Sequence, residues 1–487
     1  MRFIWRFLVV VVLAIVAILL FNTLRLTSQQ LGAVPAAPVL SLPPDSALKR
    51  LAGAVRIPTV STTDFRQTDT AQLGRFGAYL RQAFPRVHRQ LRLEKFNYYG
   101  LLYTWPGTNP ALKPVLLLGH YDVVPVLPGT EGKWARPPFA GQQAGGYLYG
   151  RGTLDDKASV LAQLEAVEYL LGTGFQPQRT LLLAFGQDEE TLGRRGAGAI
   201  AAALRRRGVR AEFVLDEGGV VKTDGVAGLK KPVALVGISE KGYLSLELTA
   251  TGQGGHSAMP PAQTSIGAVA AAVVKLEQHP FPARLEGGDD HLLDYLASEV
   301  PFGQRLVFSN RWLFAPLIKR ILAATPAGNA TLRTTTAPTI FRAGAKDNVL
   351  PIDATATVNF RLLPGDSVAG VIREVRRLIN DENIKIRVLG QPSAPSPVSD
   401  PGAPPFGLLH RTIRSVFPAA VVAPYVVTAA TDARQYAALS SNIYRFLPVQ
   451  VSQQGIESIH GSNERLAVAD YPTMVRFYAA LIRNCQN

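Results

Sequence analysis

Three apolar segments, each ending in a histidine or in acidic residues, constrain the fold of this 487-residue chain more than any other feature. They are Val115–Pro125 (VLLLGHYDVVP), Leu181–Glu190 (LLLAFGQDEE) and Phe213–Gly219 (FVLDEGG). Segments with helical periodicity, Ala158–Leu171 and Gly193–Arg207, separate them. This order of strand, helix, strand, helix, strand predicts right-handed crossovers and an α/β sheet that helices cover on both faces.

The polar residues at the ends of these segments are candidates for one shared site. In an open α/β sheet, ligands collect at the carboxyl ends of the strands. His120, Glu189–Glu190 and Asp216–Glu217 each follow a predicted strand, and Asp155–Asp156 (in YGRGTLDDK, Tyr149–Lys157) precedes a predicted helix. An N-cap or a solvated acidic loop would explain any one of these motifs. Their recurrence favours a common function.

The donor types favour a hard-to-borderline divalent metal ion. His120 and His460 (in HGSNE near the carboxyl end) accompany several carboxylates, and the single cysteine, Cys485, excludes a site built from cysteines and any intrachain disulfide. Zinc suits such donors, and Co²⁺ or Mn²⁺ could replace it. Two ions that share one carboxylate at roughly 3.5–4 Å would activate a water for hydrolysis.

Two residue pairs suggest a division of roles. His120 and Asp122 are two residues apart and would point the same way on an extended segment, so the carboxylate could fix the tautomer of the imidazole. Glu189 and Glu190 would project differently from a loop. One of them could then bind metal while the other accepts a proton from water.

Eight motifs resemble the co-catalytic zinc peptidases, the family that includes aminoacylase, carboxypeptidase G and succinyl-diaminopimelate desuccinylase. In the order of that family they are HYDVVPV, WxxxPFxG at Trp134–Gly141, GRGTLDDK, GQDEE, DEGG, GGHSAMP at Gly254–Pro260, TDAR at Thr431–Arg434 and HGSNE. The length, the apolar amino terminus and the long insert are most similar to the carboxypeptidase S branch, called Gly-Xaa carboxypeptidase, and to the secreted N-fatty-acyl-amino-acid hydrolases of animals.

This resemblance implies a centre with two zinc ions. The implied metal ligands are His120, Asp155, Glu190, Glu217 and His460. Asp155 would bridge both ions and precede a cis peptide bond, and Glu217 would bind beside His120, with Asp216 as the alternative ligand. Glu189 would be the general base, and Asp122 would orient His120.

The resemblance also implies residues that contact the substrate. His256 in GGHSAMP would stabilise an oxyanion, in some relatives across a dimer, and the glycines beside it permit close approach to a ligand. A loop histidine without a role is the alternative. Asn348 (in DNVLP) and Arg434 (in TDAR) would hold a free carboxylate, to which an arginine donates two parallel hydrogen bonds. For Arg434 the alternative is a surface salt bridge.

The pattern changes at about Ser239, where alternating strands each precede an apolar helix. This predicts an inserted α+β domain at 239–391, between two parts of a catalytic domain at 45–238 and 392–487. The resemblance implies a zinc-exopeptidase fold, with a mixed, largely parallel sheet and an insert that acts as a lid or a dimerisation domain. The stretch 281–335 has too little periodicity for an assignment.

The amino terminus differs from the rest of the chain. Phe7–Phe21 is apolar and uncharged, arginines precede and follow it, and with its neighbours it approaches the roughly 20 residues that span a bilayer. We expect residues 1–25 to be an uncleaved anchor, with the bulk of the chain outside the cytoplasm. The Pro- and Ala-rich residues 26–44 would form a linker. A cleaved signal peptide, which would give a secreted protein, is the alternative.

These observations predict a metallohydrolase that cleaves the amide bond next to a free C-terminal amino acid, with small peptides as substrates. N-(fatty-)acyl amino acids are the alternative substrates. A membrane-tethered binding protein without catalysis is less favoured, because the ligand set and Glu189 are intact. The net charge of +15 is diffuse, so we expect no nucleic-acid partner. A homodimer through the inserted domain is a further expectation.

Overall fold

The computed structural model of this chain describes residues 2–285 and 288–486. Met1 of the predicted anchor, Glu286 and Gly287 of the unassigned stretch, and Asn487 at the carboxyl end lie outside the described residues. A ten-stranded mixed sheet and a four-stranded sheet are the two largest sheets of the described residues.

The α-helices of these residues, α1 to α15 in chain order, are Arg2–Arg25, Pro44–Val55, Thr70–Ala83, Pro85–Gln90, Lys157–Gly172, Ala197–Arg206, Ser265–Gln278, Gly288–Leu296, Phe302–Ser309, Arg311–Leu322, Pro326–Leu332, Val368–Ile379, Pro404–Val416, Gln453–Glu457 and Asp470–Asn484. The β-strands, β1 to β19, are Arg92–Phe96, Gly100–Trp105, Val115–His120, Gln142–Ala144, Tyr147–Tyr149, Leu181–Gly186, Val214–Asp216, Val221–Lys222, Val233–Glu240, Gly242–Thr251, Gly255–His256, Thr335–Ala343, Val349–Leu350, Asp353–Leu362, Ile384–Ser393, Val421–Val427, Ile443–Arg445, Gln450–Val451 and Arg465–Ala467.

Parallel strands form the centre of the large sheet. β3 pairs in parallel with β6 and β7, and β7 pairs in parallel with β17, while β1 and β2 add antiparallel strands at one edge. Leu117 of β3 faces the core beneath α5 and α15, whereas Leu116 and Leu118 face the core beneath α6. Every residue of β3 and β6 is buried, because helices cover both faces. The predicted α/β class is confirmed.

The four-stranded sheet has its own core. Its order is β12-β14-β10-β15, and all its pairings are antiparallel. Leu244, Leu246 and Leu248 of β10 are buried against α7 and α12, because alternate residues of a strand share one face. The strand-and-helix pairs predicted for this part of the chain are confirmed. The domain boundaries at 239 and 391 stay predictions.

The stretch 281–335 contains the four helices α8 to α11 among its described residues. Leu296 and Val300 pack with Val421 and Ala423 of β16, which belongs to the large sheet. Short helices separated by turns present no long apolar stripe, and this explains the weak periodicity of the sequence. Part of the segment expected in the insert therefore packs on the ten-stranded sheet.

The linker expected at 26–44 is docked rather than free. Oε1 of Gln30 accepts a hydrogen bond from the amide of Val422, and its Nε2 donates to the carbonyl of the same residue at 2.9 Å. The amide of Ala37 donates to the carbonyl of Ser415 at 2.9 Å. The segment follows the surface of the ten-stranded sheet and its helices, called the large unit below, and its polar groups form hydrogen bonds there.

The amino-terminal helix α1 is 24 residues long and is apolar enough to cross a membrane. Nearly all of its side chains are exposed, and Thr23 is the buried exception among the residues of α1. Length and composition of this kind fit both a membrane anchor and a signal sequence.

Leu246→Ala tests whether the four-stranded sheet and its helices enclose a packed core. We expect it to lower the free energy of unfolding by about 2–5 kcal/mol, because a buried leucine would leave a cavity between sheet and helices. The same substitution at Leu127, which is 63% exposed, should change it by less than about 0.5 kcal/mol. Urea unfolding measures both variants, and equal losses would contradict the assignment of Leu246 to a packed core.

Candidate metal centre

The carboxyl ends of β3, β6 and β7 place several predicted residues at one edge of the large sheet. His120 is the last residue of β3, Glu189 and Glu190 follow β6 in a short 3-10 turn, and Glu217 follows β7. Nε2 of His120 lies 3.4 Å from Oε1 of Glu217. These side chains meet because the three parallel strands end at the same edge.

Asp155 lies between two histidines. Its Oδ1 is 2.8 Å from Nε2 of His120, and its Oδ2 is 2.9 Å from Nε2 of His460. Oε2 of Glu190 lies 3.2 Å from the same nitrogen of His460. One carboxylate thus presents an oxygen to each imidazole. The peptide bond from Asp155 to Asp156 is cis, as the resemblance implies.

Asp122 connects His120 to the acidic turn. Nδ1 of His120 lies 3.0 Å from the carbonyl oxygen of Asp122 and 3.4 Å from its Oδ1. The carboxylate accepts hydrogen bonds from the hydroxyl of Ser61, at 2.6 Å, and from the amides of Glu189 and Glu190. These amides open the 3-10 turn, where backbone donors need such a partner. One buried side chain therefore orients two parts of the cluster.

Glu464 is a residue of the cluster that the sequence interpretation did not single out. Its buried carboxylate accepts hydrogen bonds from the amides of Gly152 and Leu154, both at 2.9 Å, and from the amide of Asp155 at 3.2 Å. Nη1 of Arg151 donates to its second oxygen at 2.7 Å. These bonds hold the loop that carries Asp155. The sequence feature that could have indicated this residue is the glutamate at the end of the motif HGSNE.

Lys157 was also missed, although it ends the motif GRGTLDDK. Its buried Nζ donates to the carbonyls of Ala54 and Ile57 at 3.2 and 2.6 Å. Burial lowers the pKa of Lys157 to about 7. The contact fixes the start of α5, directly after the two aspartates, against α2.

The side chains of the cluster fit zinc. The ligand atoms of His120, Asp155 and Glu190 lie within 4.8 Å of one another, and so do those of His120, Glu189 and Glu217. Imidazole and carboxylate are ordinary zinc ligands. Oε1 of Glu190 is buried and has no hydrogen-bond partner among the described residues, although such an atom is costly to bury alone. A divalent cation would satisfy it.

Both histidines carry a raised pKa in the metal-free protein. Burial opposes the charged form of His120, but hydrogen bonds with Asp122, Asp155 and Glu217 outweigh it and raise the pKa well above its usual value. Hydrogen bonds with Asp155, and then with Glu190, raise the pKa of His460 to about 10. Without a metal, the surrounding acids thus favour the charged form of both imidazoles.

The surroundings shift the pKa values of the acidic residues in different directions. Burial, and after it the charge of Asp155, raises the pKa of Glu217 to about 7. Burial also raises the pKa of Glu189 well above its usual value, and the negative charge of Asp432 adds to this effect. For Asp155, hydrogen bonds from the histidines outweigh burial and lower the pKa far below its usual value. Glu189 is therefore suited to accept and hold a proton.

The two members of the pair after β7 have different partners. Oδ2 of Asp216 accepts a hydrogen bond from the amide of Ala433 at 2.7 Å, and its Oδ1 accepts from the amide of Glu217 at 3.0 Å. The carboxylate of Glu217 faces His120 instead. Both carboxylate oxygens of Asp216 thus accept hydrogen bonds from backbone amides, whereas the carboxylate of Glu217 lies within the cluster.

Arg434 lies in a buried polar network at the turn Asp432–Tyr436. Its Nε is 3.4 Å from Oε1 of Glu240, and its Nη1 donates to the hydroxyl of Ser393 at 3.0 Å. Oε2 of Glu240 accepts from Nε of Arg445 at 3.3 Å. The side chain of Arg434 is 19% exposed, so this ion pair with Glu240 is largely shielded from solvent.

His256 lies on the two-stranded sheet of β11 and β13, and Asn348 directly precedes β13. The amide of Ser257 donates to the carbonyl of Asn348 at 3.1 Å, and His256 is in register with Val349. Both His256 and Asn348 are exposed. Among the described residues, no hydrogen bond or ion pair joins either side chain to the metal cluster. The structure therefore brings together the five predicted metal ligands, Asp122 and Glu189, whereas it shows no such contact for His256 or Asn348.

A family model described as "Peptidase family M20/M25/M40" matches residues 116–484, more than half of the chain. The chain belongs to this peptidase family. The suspected resemblance is thus confirmed, and the protein is a hydrolase of a metal-dependent peptidase family.

Three relatives illustrate the likeness of this M20-family chain. "Probable carboxypeptidase S-like 2" of Dictyostelium discoideum is 42% identical over 97% of this chain and 92% of its own length. The N-fatty-acyl-amino acid synthase/hydrolase of Xenopus tropicalis is 43% identical over 90% of this chain and 85% of its own length. The M20 family metallo-carboxypeptidase Sso-CP2 from Sulfolobus solfataricus has a TM-score of 0.66 at 17% identity, over 90% and 98% of the two chains, and shows the fold.

Metal binding by this M20-family chain should release protons. At pH 8 the imidazole of His460 is charged in the metal-free protein, because hydrogen bonds with Asp155 and Glu190 raise its pKa to about 10. A zinc-bound imidazole is neutral, so zinc loading should release at least about one proton, that of His460. Titration calorimetry in two buffers of different ionisation enthalpy measures this number.

The histidine variants give the control for that experiment. His460→Ala should release about one proton fewer, since one charged imidazole is gone. His279→Ala, at an exposed histidine outside the cluster, should release as many protons as the unmodified protein. Proton uptake, or no release at pH 8, would contradict the charged state of the His460 imidazole.

Glu464→Gln should weaken zinc binding by about 10–100-fold, because an amide cannot accept from the backbone of the Asp155 loop and from Arg151 at once. Competition with a chromophoric chelator measures the affinity. Glu457→Gln is the matched control, at an exposed glutamate of the neighbouring helix α14. Equal zinc affinity in the two variants would show that Glu464 does not position the ligand loop.

Proposed function

We propose that this protein is a di-zinc metallohydrolase that cleaves the amide bond next to a free C-terminal amino acid, in the manner of a Gly-Xaa carboxypeptidase. The position of Asp155 carries the proposal, since its two oxygens lie 2.8 and 2.9 Å from the Nε2 atoms of two different histidines. Glu217 stands beside the first histidine and Glu190 beside the second. Two sets of donors that share one carboxylate are what a pair of zinc ions requires.

The proposed zinc ligands are His120, Asp155, Glu190, Glu217 and His460. When bound, two zinc ions would supply Lewis-acid activation of water and of the substrate carbonyl. Co²⁺ or Mn²⁺ could replace zinc, because the donors are the same imidazole and carboxylate groups.

Glu189 would move the proton. Its ligand atom lies within 4.8 Å of those of His120 and Glu217, so the carboxylate can reach a water at the same edge of the sheet. Its raised pKa favours holding the proton that the water gives up. The carboxyl group of Glu189 would then donate this proton to the leaving amine. Asp122 would act as a positioning residue, because it holds both the imidazole and the acidic turn.

The free carboxylate of the substrate would meet Arg434 and Asn348, and His256 would donate to the oxyanion. The guanidinium of Arg434 suits a carboxylate because it can donate two parallel hydrogen bonds. His256 lies on a small sheet, and Asn348, directly before β13 of that sheet, accepts a hydrogen bond from the neighbouring Ser257, so the two residues would approach the substrate as a unit. This assignment expects the inserted unit at 239–391 to act as a lid, and in a homodimer as the contact surface.

N-(fatty-)acyl amino acids are a second candidate class of substrate. The observation in favour is the 43% identity to an N-fatty-acyl-amino acid synthase/hydrolase over most of both chains. The same proposed chemistry serves both classes, because each substrate carries an amide bond next to a free carboxylate. A binding protein without catalysis is the outcome if a metal-loaded sample hydrolyses neither class.

We further propose that α1 stays uncleaved and anchors the protein, with the catalytic unit outside the cytoplasm. The helix carries arginines at its start and is long enough to span a bilayer. The docking of the following segment on the large unit would then hold the catalytic part close to the membrane.

Glu189→Gln tests the proposed base. The variant should keep both zinc ions, measured by elemental analysis, because Glu189 is not one of the proposed ligands. Its kcat should fall by about 10²–10⁴-fold, since the amide cannot accept the proton of water. Glu131→Gln, at an exposed glutamate, is the matched control and should retain full activity. Retained turnover in Glu189→Gln would refute the proposed base.

The substrates for this test decide between the two classes. A blocked Gly-Leu dipeptide and a long-chain N-acyl amino acid are compared by kcat/KM on the zinc-loaded protein. The methyl ester of the same dipeptide should be a poor substrate, because it lacks the carboxylate that Arg434 would bind. Equal turnover of acid and ester would contradict recognition of a free carboxylate.

A further inference from the structure

Helix α10 (Arg311–Leu322) turns an apolar face to solvent. The exposed residues repeat at positions 312, 313, 316, 317, 320 and 321, which is the spacing of one face of a helix. Five of the six are apolar, and Trp312 and Ile321 are 60% and 59% exposed. The opposite side of the helix packs inward through Ile318. This exposed face is called the α10 face below.

The α10 face begins where the amino-terminal helix is attached to the body of the protein. The buried side chain of Asn310, directly before α10, donates to the carbonyl of Leu19 at 3.1 Å and lies 3.3 Å from the hydroxyl of Thr23. Its Oδ1 accepts from Asn22 at 2.9 Å and lies 3.4 Å from Nε1 of Trp312. Trp312 is thus level with the last turns of α1.

The contacts before Asn310 show the direction of the chain. Ser28 donates to Glu299 at 3.1 Å, and Ser309 contacts Thr23 at 3.0 Å. From residue 299 to residue 310 the chain therefore runs back along α1, from the docked linker towards the apolar segment. The α10 face starts at the outer end of that segment, which is the level of the bilayer interface if α1 spans a membrane.

The charge of this region complements an anionic lipid surface. Between Pro301 and Lys346 the sequence contains seven Lys and Arg residues and no Asp or Glu, and one of the seven, Arg311, is paired with Asp294 at 2.6 Å. Arg320 is exposed on the α10 face itself, and Lys319 precedes it. A long basic side chain on an apolar face can extend to lipid phosphates while its stem stays among apolar groups. Tryptophan, which opens the face, is enriched at membrane interfaces.

We propose that α10 lies in the outer interface of the membrane that α1 spans, with the α10 face buried at the boundary between headgroups and acyl chains. The proposal depends on the uncleaved anchor under the proposed function. It adds a second attachment, which would fix the orientation of the catalytic unit, because a single helix would leave rotation about its axis free. A second copy of the chain is the competing occupant of the face.

Site-directed spin labelling of the full chain in nanodiscs tests this placement. Leu317→Cys places the label on the α10 face, Val12→Cys in α1 gives the lipid reference, and Leu127→Cys at an exposed loop position gives the aqueous reference. The native Cys485 is 2% exposed and stays unlabelled. Collision rates with oxygen and with a nickel chelate are compared, in discs of phosphatidylcholine with and without phosphatidylglycerol.

The expected result is a ratio of oxygen to nickel accessibility at 317 that is several-fold above that at 127 and shifted towards that at 12. The shift should be larger with phosphatidylglycerol, and the double variant Lys319→Glu/Arg320→Glu should reduce it. A ratio at 317 equal to that at 127 overturns the proposal. Protection at 317 that appears only in discs with two copies also overturns it, in favour of a protein contact.

The intact mass of protein from membranes separates failure of the anchor from failure of the interface. If α1 is removed, the anchor proposal fails, and flotation of the processed protein with phosphatidylglycerol vesicles tests the α10 face directly. Binding that is lost in Leu317→Glu/Ile321→Glu then supports the surface. Equal flotation of the processed protein and this variant overturns it.

Discussion

Buried carboxylates around His120 and His460 impose the constraint on which the rest of this structure depends. Asp155, Glu190 and Glu217 lie within 3.4 Å of imidazole nitrogens, and their separation from bulk water is costly unless cations and N–H donors replace the lost hydration. The raised pKa of each histidine is one response to this cost, and affinity for divalent cations is another. The same physical demand thus produces the charge state and the metal chemistry.

Two further buried acids, Asp122 and Glu464, also need hydrogen-bond donors, and the surrounding loops supply them. Asp122 and Glu464 collect backbone amides of the turns that bear the ligands, so neighbouring loops are fixed by charge-assisted hydrogen bonds. Lys157 anchors the start of the helix that follows. The cluster combines residues at strand ends with the loop of His460, which lies 340 residues after His120 along the chain. The geometry of the cluster therefore depends on the whole ten-stranded sheet and on the helices and loops that pack against it.

The motifs predicted much of this arrangement because parallel strands end at one edge of their sheet. His120, Glu189 and Glu217 could be placed together from strand order alone. Glu464 was missed because its role consists of accepting backbone amides from a distant loop, and no local pattern marks such a partner. Whether Asp216 or Glu217 is the better candidate metal ligand likewise depends on which hydrogen-bond donors each carboxylate meets in the folded protein.

The helices between 288 and 332 were not assigned, because several short helices give no sustained period. Their position brings the end of α1 and the exposed face of α10 together, through Asn310. An apolar amino terminus and a weakly patterned internal segment are thereby parts of one surface. The proposed membrane contact is a consequence of tertiary packing and not of either segment by itself.

By itself, the sequence determined the α/β class, the strands and helices with a clear period, and the set of imidazole and carboxylate donors. Local periodicity and residue chemistry are sufficient for these conclusions. The tertiary structure alone decided that Asp155 presents one oxygen to each histidine, that Glu464 holds its loop, and that no hydrogen bond or ion pair of the described residues joins His256 to the cluster. These relations depend on side-chain directions and on loop conformations between distant positions, which no local pattern contains.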